Sequence, residues 1–255
     1  MNEALPLSVQ IFSLRNAGNL DRQLDIVAQA GFRHVELIGS LLDDASATRD
    51  KLEARGLTAS SSHVSIAALR ERIQDVASAC RTIGCGQLFM PSVPPAERDS
   101  GADYWRALGR ELGAFASRLA DEGIALGYHN HHWELGVKDG GATALELLFE
   151  SAGKNPLTWQ VDVAWLVRGG ADPLQWLRRY SGRVVSAHAK DLAPSGEKLD
   201  EDGWTDVGHG VMNWAVLAPA CRAAGARFFV AEHDNPNDAE RFARNAYAYL
   251  HHLGA

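Results

Sequence analysis

Short apolar runs alternate along the chain with longer amphipathic stretches. The strand-like runs fall at 7–12, 34–37, 57–61, 87–90, 125–130, 158–162, 184–188 and 227–232. Several are continuously apolar or β-branched, as expected of strands buried on both faces of a parallel sheet. Helical periodicity fills the gaps, at 20–30, 43–55, 66–83, 102–122, 143–152, 173–180, 214–224 and about 237–253. Gly31, Gly56, Gly84, Gly123, Gly153 and Gly225 stand where these helices should stop. Asp172-Pro173 reads as a cap followed by a first-turn proline.

Repeated strand–helix pairs imply parallel strands joined by right-handed crossovers. The spacing is close to the ~30 residues that one such unit needs. The pattern predicts an α/β fold, a single (β/α)8 TIM barrel spanning 1–255 as one domain. A doubly wound open sheet is the rival. Against it, the first strand–helix turn reads SLRNAGN, without a glycine-rich phosphate fingerprint. The longest strand-to-helix connection, 190–213, is rich in glycine and marks a functional loop.

Composition narrows the function classes. The chain of 255 residues is 46% hydrophobic, 22% charged and 8% aromatic, ample for a packed core. No apolar run reaches the ~18–20 residues of a membrane helix. The segment MNEALPLSVQ lacks a basic stretch before an apolar core, so neither a signal peptide nor a membrane association is expected, and a cytoplasmic location is the default. A net charge of −7 disfavours nucleic acid as a partner. Cys80, Cys85 and Cys221 are odd in number and lack CxxC spacing, so they read as reduced, buried side chains. Oligomeric state stays open, with a homo-oligomer allowed.

In a TIM barrel the chemistry gathers at the carboxyl ends of the strands. Those ends carry Gln10 and Ser13, Glu36, His63, the run from Tyr128 to Glu134, Asp162 with Trp165, His188 with Lys190 and Asp191, and Glu232 with His233 and Asp234. Ten histidines are present, and His63, His129, His131, His132, His188, His209 and His233 fall at this rim or in its loops. Several carboxylates brought together need compensation, most simply by a divalent cation. Glu134, Asp162, His188 and Glu232 form an oxygen-rich set suited to Mn, Mg or Co more than to a structural Zn, although ligand type does not fix the metal. Trp133 and Trp165 read either as packing or as an apolar wall for a substrate.

Four segments resemble the xylose isomerase-like TIM-barrel family of sugar phosphate isomerases/epimerases. They are GYHNHHWEL at 127–135, VDVAWLVRGGADP at 161–173, GRVVSAHAKDL at 182–192 and VAEHDN at 230–235; VGHGVMNW at 207–214 is a looser match. The resemblance implies metal ligation by Glu134, Asp162, His188 and Glu232. It implies that Glu134 and Glu232 flank the substrate carbon and exchange its proton, through a metal-bound enediolate of a sugar, sugar phosphate or polyol. His63, His131 and Lys190 match positions that line the substrate pocket, and Trp165 and His209 join them as candidates. His209 between the glycines, and Asn213 after them, depart from the family pattern and bear on substrate choice. A lyase outcome, as in inosose dehydratases and enzymes that eliminate from 3-keto-glycosides, is the alternative on the same site. An inactive sugar-binding protein and an endonuclease IV-like enzyme are further readings.

Overall fold

The computed structural model describes residues 5–254; residues 1–4 and 255, which the readings of 1–10 and 1–255 include, lie outside the described residues. The strands are β1 (Leu7–Gln10), β2 (His34–Leu37), β3 (Thr58–His63), β4 (Gln87–Met90), β5 (Ala125–His129), β6 (Thr158–Asp162), β7 (Val184–Ala189) and β8 (Phe229–Ala231). All pair in parallel with their sequence neighbours, and β1 pairs with β8 through Ser8 and Val230, which closes the barrel. The (β/α)8 expectation holds and the open sheet does not.

The helices are α1 (Leu20–Ala30), α2 (Ala45–Glu53), α3 (Ile66–Ile83), α4 (Ala102–Ala120), α5 (Ala144–Ala152), α6 (Val163–Arg168), α7 (Pro173–Arg179), α8 (Trp214–Ala224) and α9 (Ala239–His252). Left-handed backbone at Gly31, Gly84 and Gly225 ends α1, α3 and α8, as the sequence predicts. The helix expected at 43–55 begins later. A 3-10 turn, Gly39–Leu42, comes first, and the Asp44 carboxylate then caps α2 by accepting from the Ala47 amide at 3.1 Å. Among the described residues no helix is long and apolar enough to cross a membrane.

Strand alternation sorts the side chains into two populations. Val9, Val35, Leu37, Leu88, Met90, Leu126, Trp159, Val161 and Phe229 belong to the buried hydrophobic cluster shared with the helices. The alternate positions Ser8, Gln10, Glu36, His129, Gln160, Asp162, Ser186 and His188 are equally buried but polar. The apolar core therefore sits between barrel and helices. The inside of the barrel carries many hydrogen-bonding groups beside a few apolar ones such as Phe89 and Val230, and these polar groups carry the site.

The connection after β7 is ordered. Asp191–Leu192 pairs antiparallel with Trp204–Thr205. The Asp191 carboxylate accepts from the amides of Leu192, Gly208 and Met212 at 2.9, 2.9 and 3.0 Å. A Cβ at Gly210 would fall 2.2 Å from the Leu192 carbonyl, so only glycine lets the strap return this closely. Glu201 and Asp206 pair with Arg241 of α9, which ties the strap to the last helix.

Candidate active site at the carboxyl ends of the strands

The site rests on a buried carboxylate. Glu36, at the end of β2, has no solvent exposure. It accepts from Gln10 Nε2 at 2.8 Å, Ser61 Oγ at 2.5 Å, Gln160 Nε2 at 2.6 Å and His188 Nε2 at 2.6 Å, and His63 Nε2 lies 3.1 Å away. Burial opposes ionisation, but His63 and His188 outweigh it and hold the carboxyl well below its usual range.

This layer sets the chemistry of the imidazoles above it. The Gln160 amide nitrogen donates to Glu36 and to Ser186 Oγ, so its oxygen must be the acceptor at the other end. That oxygen is 3.0 Å from His129 Nδ1 and 2.9 Å from His63 Nε2. Both of those nitrogens therefore carry hydrogen, and His129 keeps its Nε2 lone pair. Burial, reinforced by His188, keeps His129 neutral, well below its usual titration range. His188 donates from Nε2 to Glu36, and its Nδ1 lies 2.8 Å from Glu232 and 3.9 Å from Asp162. Burial alone would discharge it, but Glu232 and Glu36 raise it to about 10.

One atom each from His129, Asp162, His188 and Glu232 lies within 4.8 Å of the others, which makes a group able to hold a metal ion. Asp162 is the last residue of β6 and the N-cap of α6. Its Oδ1 accepts from the Trp165 amide at 2.8 Å, while its buried Oδ2 has no directed hydrogen-bond donor. Lys190 Nζ is close to that oxygen, at 3.1 Å, but off the line of a hydrogen bond. An orphaned carboxylate oxygen beside two imidazoles and a second carboxylate is a donor set that fits a divalent cation.

Lys190 is the unexpected occupant of this region. Its side chain is fully buried, with Nζ 2.8 Å from Glu232 and 3.0 Å from Asp234. Trp204 and Trp165 border it, with ring centroids 4.8 and 5.2 Å from Nζ. Burial disfavours the ammonium, but Asp162, Asp234 and Glu232 more than restore it. A lysine thus supplies part of the compensation that the sequence argument assigned to a metal.

The other predicted residues fall as follows. His63 and His131 border a cavity above the group, as do Glu232 and Asp234. Trp165 backs His131 and His132, with ring centroids 5.3 and 5.0 Å away. Glu134 is buried just after β5 but is not among the grouped atoms. Its two oxygens accept from the Tyr128 hydroxyl at 2.7 Å and the His131 amide at 2.8 Å. Burial raises its carboxyl to about 7 against these hydrogen bonds. His209 is exposed and outside the cavity lining, because the turn that carries it is drawn down onto Asp191 and leaves the imidazole outside. Sequence reasoning places Gln10, Glu36, His129 and Asp234 at the rim without a role and does not single out Gln160. The signal of the first four is position near the end of a strand, and Gln160, in the middle of β6, has no local signal.

A closed parallel barrel with titratable groups on its carboxyl rim defines a TIM barrel of the kind that works at that rim. The model of the Xylose isomerase-like TIM barrel family matches residues 24–251, and the chain belongs to that family. A crystal structure of a sugar phosphate isomerase/epimerase from Parabacteroides distasonis is similar with a TM-score of 0.80 and 20% identity, over 100% of this chain and 95% of that one. A probable 3-DHS dehydratase involved in petrobactin synthesis, from Bacillus anthracis, has a TM-score of 0.76 and 12% identity, over 97% of this chain and 99% of that one. Among curated proteins, an inosose dehydratase of Clostridium botulinum (strain Alaska E43 / Type E3) is 28% identical over 92 residues. That match spans 36% of this chain and only 30% of the dehydratase.

Proposed function

We propose that the protein is a divalent-metal-dependent isomerase or epimerase of a small sugar or polyol, working by proton transfer next to a carbonyl. The observation that carries this reading is the His129–Asp162–His188–Glu232 group at the floor of the cavity. These residues would hold the ion, and Lewis-acid polarisation of the substrate carbonyl is the chemistry a bound ion supplies. Glu134, whose oxygens accept from the Tyr128 hydroxyl and the His131 amide, is not among the grouped atoms, and His129 stands in the group beside the three other predicted ligands.

The chain's own groups move the proton. Glu232 borders the cavity and is held ionised, well below its usual range, by Lys190 and His188 against its burial. It takes the hydrogen from the carbon beside the carbonyl as the C–H pair moves into an enediolate. Proton return to the neighbouring carbon isomerises the substrate, and return on the opposite face epimerises it. Glu134, balanced near neutrality and hydrogen-bonded by Tyr128, is the second carboxyl for this exchange. Lys190 and Asp234 position Glu232, while His63, His131 and Trp165 shape the space above it.

The match to an inosose dehydratase favours a second outcome from the same enediolate, the loss of a β-leaving group. One experiment tests both. Ketoses, inososes and 3-keto-glycosides are incubated with the protein and Mn²⁺ in D2O, and products are read by NMR. Deuterium on the carbon beside the carbonyl is expected. A converted substrate that acquires none would sink the proton-transfer reading, and an enone product would assign the lyase outcome.

A further inference from the structure

Four imidazoles meet at the carboxyl rim, and they are fixed in two different ways. His63, His129 and His188 are set by hydrogen bonds to Gln160 and Glu36 in the layer beneath. His131 is not. Among the described residues only its amide is engaged, while its ring makes no hydrogen bond and its Nδ1 is buried without a partner. A polar ring that the protein leaves unsatisfied, on the border of the cavity, has bonding capacity free for a ligand.

Stacking is what holds this ring. The His131 imidazole lies on the Trp133 indole, with centroids 4.1 Å apart and planes 13° from parallel. The Arg98 guanidinium carbon lies 3.7 Å from the Trp133 ring centroid. Two flat groups this close cannot share one face of a ring without overlapping. The indole is therefore sandwiched, with the imidazole on one face and the guanidinium on the other. Trp165 and His129 border the imidazole on further sides, with centroids 5.3 and 5.0 Å away. The His131 amide donates to Glu134 at 2.8 Å, which fixes the backbone as well.

Arg98 has no other partner for its side chain. It stands in the loop after β4, and among the described residues its guanidinium makes no ion pair and no hydrogen bond, with Nε buried and unpartnered. What it offers is a flat cationic face, and that face is laid on Trp133. Its carbonyl accepts from Lys138 Nζ at 3.4 Å, so the loops after β4 and β5 are joined behind His131.

We infer that Arg98 is a positioning residue, which acts through Trp133 to hold the His131 imidazole in one orientation, with a ring nitrogen turned to the cavity for a hydroxyl of the substrate. Only the hydroxyl-bearing nature of that substrate is taken from the proposed function. Trp133, readable in the sequence as packing or as a substrate wall, thereby backs the imidazole instead. Three of the rim's imidazoles are set from inside the barrel, and the fourth is set from outside it.

NMR of the full chain, isotope-labelled at the histidine rings and held in D2O with excess Mg²⁺, tests this with D-fructose and an inosose as probes. At least one probe is expected to shift the His131 ring resonances, which the His131→Ala spectrum identifies. Arg98→Ala should move those resonances away from the position that stacking on Trp133 gives them. It should also weaken probe binding by calorimetry about three- to tenfold, with Mg²⁺ affinity kept within about twofold. Arg98→Lys, which keeps the charge and not the flat face, should restore little. Arg70→Ala, at an exposed arginine paired with Glu111, should change neither readout. In a His131→Ala background Arg98→Ala should cost nothing further, a result that a merely structural role of Arg98 would not give. His131 resonances that stay in place in Arg98→Ala overturn the inference. So does a loss that adds in full to that of His131→Ala, or a His131 resonance that neither probe moves. Deuterium uptake by the probes is read in the same samples. His131 shifts without uptake remove the proton-transfer reading alone, and uptake with His131 silent removes this inference alone.

Discussion

Glu36 and Asp162 are both carboxylates without solvent exposure, one layer apart in the same barrel, yet they are solvated by opposite means. Glu36 is filled by directed donors from Gln10, Ser61, Gln160 and His188. Asp162 has one oxygen spent on capping α6 and another with no directed donor at all. The lower layer has its hydrogen bonds filled within the protein, whereas the upper one keeps bonding capacity in reserve. A support is finished without a ligand, and a site is not.

The sharpest break is made in the upper layer. Asp162→Asn keeps shape and cap but removes the charge facing His129 and His188. Mn²⁺ affinity by calorimetry and turnover are both expected to fall by at least about a hundredfold, with the circular dichroism spectrum unchanged. Undiminished Mn²⁺ affinity would dismiss Asp162 as a ligand. In the lower layer, Glu36→Gln removes the negative charge facing His188 and His63 and turns one acceptor oxygen into a donor NH2 among the groups that donate to it. Roughly 10–100-fold in metal affinity is expected to go, together with a loss of stability of about 3 kcal/mol. A loss of stability at full metal affinity would mean that Glu36 serves folding only.

Metal removal sharpens the contrast further. Chelation of a protein saturated at about 100 Kd should cost ~2.7 kcal/mol, a fall in Tm of several degrees. Asp162→Asn should be nearly insensitive to the chelator, and an equal shift in both proteins would point to a metal elsewhere. Further out, Glu201 on the strap is pulled down to about 2 by Arg241 and the Asn237 amide, against its burial. Its folded value lies below its unfolded one, so its contribution is present above about pH 4.5 and is lost as pH falls toward 2. Glu201→Gln should remove about 2 kcal/mol at neutral pH and flatten that acid limb in denaturant titrations. An acid limb as steep as before would remove Glu201 as its source. The smallest change is expected at His209→Ala, no more than about twofold in turnover, because the side chain is exposed away from the cavity. A larger effect would place the strap in direct contact with substrate.

The barrel was legible because alternation and glycine stops repeat in register along the whole chain. The site was legible only in part. Asp162, His188 and Glu232 are single polar residues closing apolar strands, so their place at the rim can be read without coordinates. The fourth member of the group that could hold an ion lies in HNHHWE, where β5 ends at His129 and Glu134 falls in the turn that follows. Strand ends are the least certain thing a sequence offers. Glu36 was visible as a strand-end residue, but its partners Gln160 and His188 lie 124 and 152 positions away. No local pattern encodes such pairings. Lys190 was read as a pocket residue, and its burial among three carboxylates follows only once β7 and β8 are neighbours.

The strap after β7 has a consequence for how this scaffold can be altered. Its base is sealed by the Asp191–Leu192 pairing with Trp204–Thr205 and by the amides gathered on Asp191. Events at its tip, around Ser195–Gly196–Glu197, are therefore insulated from the chemistry below. Lengthening such a tip costs little, since closure entropy grows only with the logarithm of loop length. The tip is a natural graft point: a short peptide inserted there should leave folding and turnover intact.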